Sequence, residues 1–138
     1  MTDTPDTAAR ILVVDDEEAI AELLMWRLQR AGYQVLVATD GLEAWEFFQA
    51  LPFDLVIADL KMPRLDGEQL VQYIKGRAPH TPIVVLTGHG TPQSVERLLS
   101  LGVAQVLYKP LEDLSDLTDL IAQILGGEPS GARTIGHE

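Results

Sequence analysis

The chain has no cysteine among its 138 residues. That excludes a disulfide framework, a thiolate nucleophile and a zinc–thiolate site, and leaves chemistry to carboxylates, hydroxyls, lysine and histidine. Basic residues are scarce: 10 Lys plus Arg stand against 21 Asp plus Glu, a formal charge of 10 − 21 = −11. Such a surface repels nucleic-acid phosphates, and no basic run or basic–aromatic stripe offsets it, so direct DNA or RNA binding is disfavoured. Long hydrophobic runs are missing too. The longest, such as Ile11 to Val14 and Leu55 to Ala58, span four to five residues, against the roughly 18 that a membrane-crossing helix needs. The opening MTDTPDTAAR has neither a basic segment nor an apolar run and does not read as a secretory signal. A cytoplasmic location is the expectation.

What is present is an ordinary globular composition, 46% hydrophobic and 22% charged, at a length that makes one domain and buries about two thirds of its unfolded surface. Short, continuously apolar runs alternate with longer segments of helical periodicity. That is the pattern of parallel strands covered by helices on both faces. The runs Ile11 to Val14, Gln34 to Ala38, Leu55 to Ala58, Ile83 to Leu86 and Gln105 to Tyr108 read as five strands. Ile20, Leu24, Leu28 and Ala31 form one side of a first helix that Gly32 can end, and Asp40 with Glu43 suggests a capping box for the second. Asp66 can cap a third helix and Thr91–Pro92 a fourth, while Leu114, Leu117, Ile121 and Ile124 stripe a fifth. The expected domain runs from Arg10 to Leu125. A flexible segment, 1–9, precedes it, and the glycine-rich 126–138 reads as a flexible tail or linker.

In open parallel sheets, ligands gather at the carboxyl ends of the strands, where loops and helix N-termini converge. Here strand one runs into Asp15 and Asp16, strand three into Asp59, strand four into Thr87 and strand five into Lys109. Strand two, ending near Thr39 and Asp40, fits as the exception if it lies at the outer edge of a 2-1-3-4-5 order. Each residue taken alone is most often a helix cap, a structural residue or a solvated loop residue; their coincidence on one edge points to chemistry. Three acids on that edge require a cation. Lys109 supplies one charge and a hard divalent ion such as Mg²⁺, with its oxygen ligands, the rest.

The segments ILVVDDEE, LVIADLKMPRLDG, IVVLTGHGT and VLYKP stand in the order and spacing of the receiver domain of bacterial two-component response regulators, and the chain resembles that family over Arg10 to Leu125. The resemblance implies a flavodoxin-like (βα)5 fold and a phosphorylation-dependent switch. Asp59 would accept a phosphoryl group from the phosphohistidine of a sensor kinase or phosphotransfer protein. Asp15, Asp16 and Asp59, with the backbone carbonyl of Lys61, would hold Mg²⁺. Lys109 would pair with the phosphoryl oxygens, Thr87 would draw the loop after strand four inward, and a cis peptide would precede Pro110. Lys61 and His89 would flank the hydrolytic water and tune the phosphate lifetime, although both also read as plain loop residues. The chain departs from the family at Val106, where the family usually carries an aromatic residue; Val106 reads as strand packing, and Tyr108 lies at a different depth.

Other functions fit less well. A flavin binder needs a hydroxyl- and glycine-rich loop where DDEE stands, and a nicotinamide binder needs G-x-G-x-x-G there. A metal-dependent phosphatase would place its second Asp two residues after the first. A degenerate receiver serving only as a docking module would have lost one of Asp16, Asp59, Thr87 and Lys109. The expected activity is that of an acceptor and slow self-phosphatase more than a conventional enzyme. Output is expected on a protein partner through residues 92–125, from a single-domain regulator or the N-terminal part of a longer protein; phosphorylation-dependent dimerisation is left open.

Overall fold

The computed structural model of the protein describes residues 8–88, 90–111 and 113–126. The expectations for segment 1–7, for tail residues 127–138 and for His89 lie outside the described residues. Five strands alternate with five helices: β1 (Arg10–Val14), α1 (Glu18–Arg30), β2 (Gln34–Ala38), α2 (Gly41–Ala50), β3 (Leu55–Ala58), α3 (Gly67–Arg77), β4 (Ile83–Thr87), α4 (Pro92–Ser100), β5 (Gln105–Tyr108) and α5 (Leu114–Leu125). All strand pairs are parallel and the sheet order is β2-β1-β3-β4-β5, the doubly wound arrangement expected.

The apolar runs of β1, β3 and β4 follow from burial on both faces. Ile11, Val13, Leu55, Ile57, Val84 and Leu86 point to the side covered by α1 and α5, where Leu24, Leu28, Leu117 and Ile121 meet them. Leu12, Val14, Val56, Ala58, Ile83 and Val85 point to the side covered by α2, α3 and α4, against Phe48, Leu70, Ile74 and Leu98. Each of these larger side chains stabilises the fold by about 1.5–3 kcal/mol. The outer strands β2 and β5 are only half covered. Val106 is one of the partly buried residues on the α2/α3/α4 side, so it packs in the strand as expected.

The helix starts have the chemistry anticipated, with one difference. Asp66 and Gln69 form a reciprocal capping box on α3, and Thr91 and Ser94 form one on α4. On α2 the Asp40 carboxylate accepts from the Glu43 amide at 2.8 Å, but the Glu43 carboxylate accepts from the amide of Thr39, at 2.9 Å, rather than from that of Asp40. The box is thus displaced by one residue, which ties the end of β2 to the helix. Among the described residues no helix is long and apolar enough to cross a membrane.

Candidate functional site

Register decides which residues share the carboxyl edge. Val14 pairs with both Ala38 and Ala58, Ala58 with Val85, and Thr87 with Tyr108. The hydrogen-bond ladder then runs one residue past the strands. The Asp15 amide donates to the Ala38 carbonyl (3.1 Å), the Asp59 amide to Val14 (3.0 Å) and the Lys109 amide to Thr87 (2.9 Å). The backbones of Asp15, Asp59 and Lys109 are therefore as fixed as the sheet itself, and the peptide between Lys109 and Pro110 is cis, as the resemblance implied.

The side chains of these three residues meet. The Lys109 ammonium lies 2.8 Å from Asp15 Oδ2 and 3.0 Å from Asp59 Oδ2. A third acid joins them, with Glu17 Oε1 at 2.7 Å from the same nitrogen. Asp15 and Asp59 are buried, while Glu17 is 59% exposed. Asp59 Oδ1 is held from the other side by the amides of Leu60 (2.6 Å) and, more weakly, Lys61 (3.5 Å). Asp15 Oδ1 accepts from the Glu17 amide at 2.9 Å. Close packing supports this loop: Gly67, whose amide donates to the Leu60 carbonyl at 2.9 Å, lies so near β3 that a Cβ there would stand 2.1 Å from the Asp59 carbonyl oxygen. Only glycine permits that approach.

Burial pushes the Asp15 carboxyl above its ordinary value, against the lowering pull of Lys109 and the Glu17 amide. Burial also presses on the Lys109 ammonium, downward, but its hydrogen bonds to Asp15, Glu17 and Asp59 outweigh it and raise its pKa. The amine therefore stays charged. Three carboxylates and one ammonium sum to −3 + 1 = −2, a deficit that one divalent ion cancels. Carboxylate oxygens of Asp15, Glu17 and Asp59 lie within 4.8 Å of one another. Hard oxygen donors at that spacing, open to solvent on one side, suit Mg²⁺, which keeps several of its waters. The residues present fit that ion.

The other expected residues stand around this centre. Asp16 and Lys61 line a cleft of about 490 Å³ with Glu17, Asp59, Gly88 and Lys109. Asp16 is exposed on its wall and outside the three-acid group. Thr87, wholly buried, ends β4 immediately behind Gly88. Tyr108 is 52% exposed and lies over Gly90, where a Cβ would approach its ring to 3.0 Å. Glu17 joins the site with no sequence signal beyond the unbroken acidic run DDEE, which has no intrinsic direction.

The sequence model of the response regulator receiver domain matches residues 11–122. Among curated proteins, the Regulator of RpoS from Escherichia coli K12 is 33% identical over 117 residues, 85% of this chain and 35% of that protein. The response regulator protein FleR from Pseudomonas aeruginosa is 36% identical over 135 residues, 94% of this chain and 27% of that protein. The chain thus spans about a third or less of the length of these relatives. Among solved structures, a response regulator receiver domain protein from Clostridium thermocellum superposes with a TM-score of 0.79 at 34% identity, over 85% of this chain and 94% of that one. The response regulator TrrA from Thermotoga maritima, solved in complex with Mg²⁺-BeF, gives 0.76 at 32% identity over 84% of this chain and 98% of that one. With its fold, its lysine-bridged acid edge and these matches in agreement, the chain belongs to the response regulator receiver domains of two-component systems.

Proposed function

We propose that the chain is a phosphorylation-controlled switch in which Asp59 is the phosphoacceptor. One observation carries the reading: a single ammonium, Lys109, bridges the two buried strand-end carboxylates Asp15 and Asp59 at 2.8 and 3.0 Å. In the reaction an Asp59 carboxylate oxygen forms a bond to phosphorus as the phosphorus–nitrogen bond of a phosphohistidine breaks, and the electron pair leaves with the imidazole. The donor is a histidine kinase or a phosphotransfer protein. Lys109, with a net positive charge that burial does not remove, pairs with the anionic oxygens that arrive on Asp59. The Leu60 and Lys61 amides orient the carboxylate. Asp15, Asp16 and Asp59, with the backbone carbonyl of Lys61, would hold Mg²⁺, and Glu17 adds negative charge beside them. When bound, that ion offsets the charge of the acids so that an anionic donor can approach.

Thr87, at the end of β4, hydrogen-bonds the new phosphoryl group and draws the β4–α4 loop inward. This biases the surface of α4, β5 and α5, about 92–125, toward a protein partner. The much longer relatives support a chain that works beside further domains; FleR and PilR are named response regulator proteins and GlrR a transcriptional regulatory protein. Residues 10–125 constitute the receiver unit in this proposal, working in the cytoplasm, with phosphorylation-dependent pairing of two copies as one mode of output.

Intact-mass analysis of wild type and Asp59→Asn after incubation with acetyl phosphate, with MgCl2 or with chelator, tests this. A single phosphoryl adduct that requires both Asp59 and Mg²⁺ is expected. An adduct that survives Asp59→Asn, or none in folded wild type with MgCl2, overturns the assignment and favours a phosphorylation-independent docking module.

A further inference from the structure

The loop after Asp59 carries the two amides that aim its carboxylate, those of Leu60 and Lys61. On its far side this loop is fastened to the start of α2. Arg64 Nη2 donates to Asp40 Oδ2 at 2.7 Å. Next to it, buried Leu65 brings its carbonyl so close to Gly41 that a Cβ there would stand 1.8 Å from the oxygen. Asp40 uses its second oxygen to cap α2, accepting from the Glu43 amide, so one carboxylate serves both helix and loop. Glu43 and Glu46 add attraction for the guanidinium.

One feature separates this pair from an incidental surface contact. Arg64 has φ of 71° and is the one non-glycine residue with positive φ among the described residues. Side chains with a Cβ enter that region at a cost, and it persists where the surroundings demand it. Its side chain is also 56% exposed, so it covers little core, and an exposed ion pair adds little to global stability. What the strained residue does make is the one side-chain hydrogen bond from this loop to the start of α2 among the described residues.

Resting on the reading of Asp59 as phosphoacceptor, we propose that the Asp40–Arg64 pair is a positioning device for the nucleophile. It staples the β3–α3 loop to α2 and, through the Leu60 and Lys61 amides, sets the direction of the Asp59 carboxylate. Arg64 and Asp40 touch neither donor nor phosphoryl group; they act through the loop.

The whole chain, acetyl phosphate and MgCl2 supply the test. Arg64→Ala removes the cation and keeps the Cβ. Asp40→Asn keeps an oxygen for the Glu43 amide and removes the charge, while Arg64→Lys restores a cation. Phosphorylation at saturating donor is expected to slow by about three- to fivefold in Arg64→Ala and Asp40→Asn, the range an exposed ion pair can supply. The donor concentration at half saturation stays unchanged, the double variant is no slower than either single one, and Arg64→Lys recovers most of the rate. In the unphosphorylated variants the Leu60 amide exchanges faster with solvent while the α1 amides do not. Wild-type rates with wild-type Leu60 exchange overturn the proposal, and so do losses that multiply in the double variant. If wild type itself gains no phosphoryl group, the phosphoacceptor reading falls, and unchanged Leu60 exchange in Arg64→Ala then overturns the staple as well.

Discussion

At Lys109 one ammonium serves three carboxylates, two of them buried, so Lys109→Ala moves the local charge from −2 to −3 and leaves the acids only their backbone amides among the described residues. Stranding buried acids in this way is expected to cost about 3 kcal/mol, the lower end for a buried pair, because the Glu17 side opens to water. Urea unfolding measures the loss, and millimolar MgCl2 recovers part of it, since a divalent ion can replace the missing charge. Glu17→Gln behaves differently. Its side chain is exposed, so stability at neutral pH barely changes, while the affinity for Mg²⁺ falls severalfold with the lost negative charge; titration followed by NMR reads that. Gly67→Ala is the severe change at this scale. Its Cβ meets the backbone of Asp59, which no side-chain rotation relieves, and a loss of about 2 kcal/mol or more in urea unfolding is expected.

Among the helices, α4 is the least anchored. It buries only Leu98, whereas α3 buries Gly67, Leu70, Val71 and Ile74. The bidentate Arg97–Glu68 pair that ties α4 to α3 is solvent-exposed and adds little. Amide exchange should therefore be faster across α4 than across α3 in the unphosphorylated protein, as the proposed switch requires of the element next to Thr87. The helix caps also give the molecule an acid dependence. The Asp40 carboxyl is held below 3.8 by the Glu43 amide and by Arg64, and Asp113, which caps α5, by the hydroxyl and amide of Ser115. A carboxylate whose pKa falls on folding adds stability above its unfolded pKa and loses it as the pH drops through the folded value. Thermal melts should thus show stability declining below about pH 4, and the Asp40→Asn/Asp113→Asn double variant should flatten that decline.

For the whole molecule, a charge of −11 means self-repulsion in the compact state. Raising NaCl is expected to raise the melting temperature by screening, in wild type and Asp59→Asn alike. MgCl2 at matched ionic strength should add a further increase in wild type and a smaller one in Asp59→Asn, which lacks one of the acids on the edge. Equal increases in the two proteins would mean that Mg²⁺ acts only as a screening ion.

The sheet and its reactive edge were legible because they depend on local patterns. Four-residue apolar runs buried on both faces define β1, β3 and β4, and the residues that follow them, Asp15, Asp59 and Lys109, must emerge on one edge of a parallel sheet. Val106 as strand packing and the caps at Asp66 and Thr91 were legible for the same reason. Contacts between loops were not. Glu17 reaches a lysine 92 residues away, and nothing in DDEE says which acid turns inward and which stays on the cleft wall. Arg64 meets Asp40 across 24 residues because a left-handed residue bends its loop onto α2. Apolar periodicity determined the strands and the layers, since burial rewards a repeating pattern whatever its partners, while the order 2-1-3-4-5 was implied by the family resemblance and is what the sheet adopts. The tertiary structure alone decided how each charge is paired, because the direction of a side chain in a loop depends on which loops the finished sheet brings beside it.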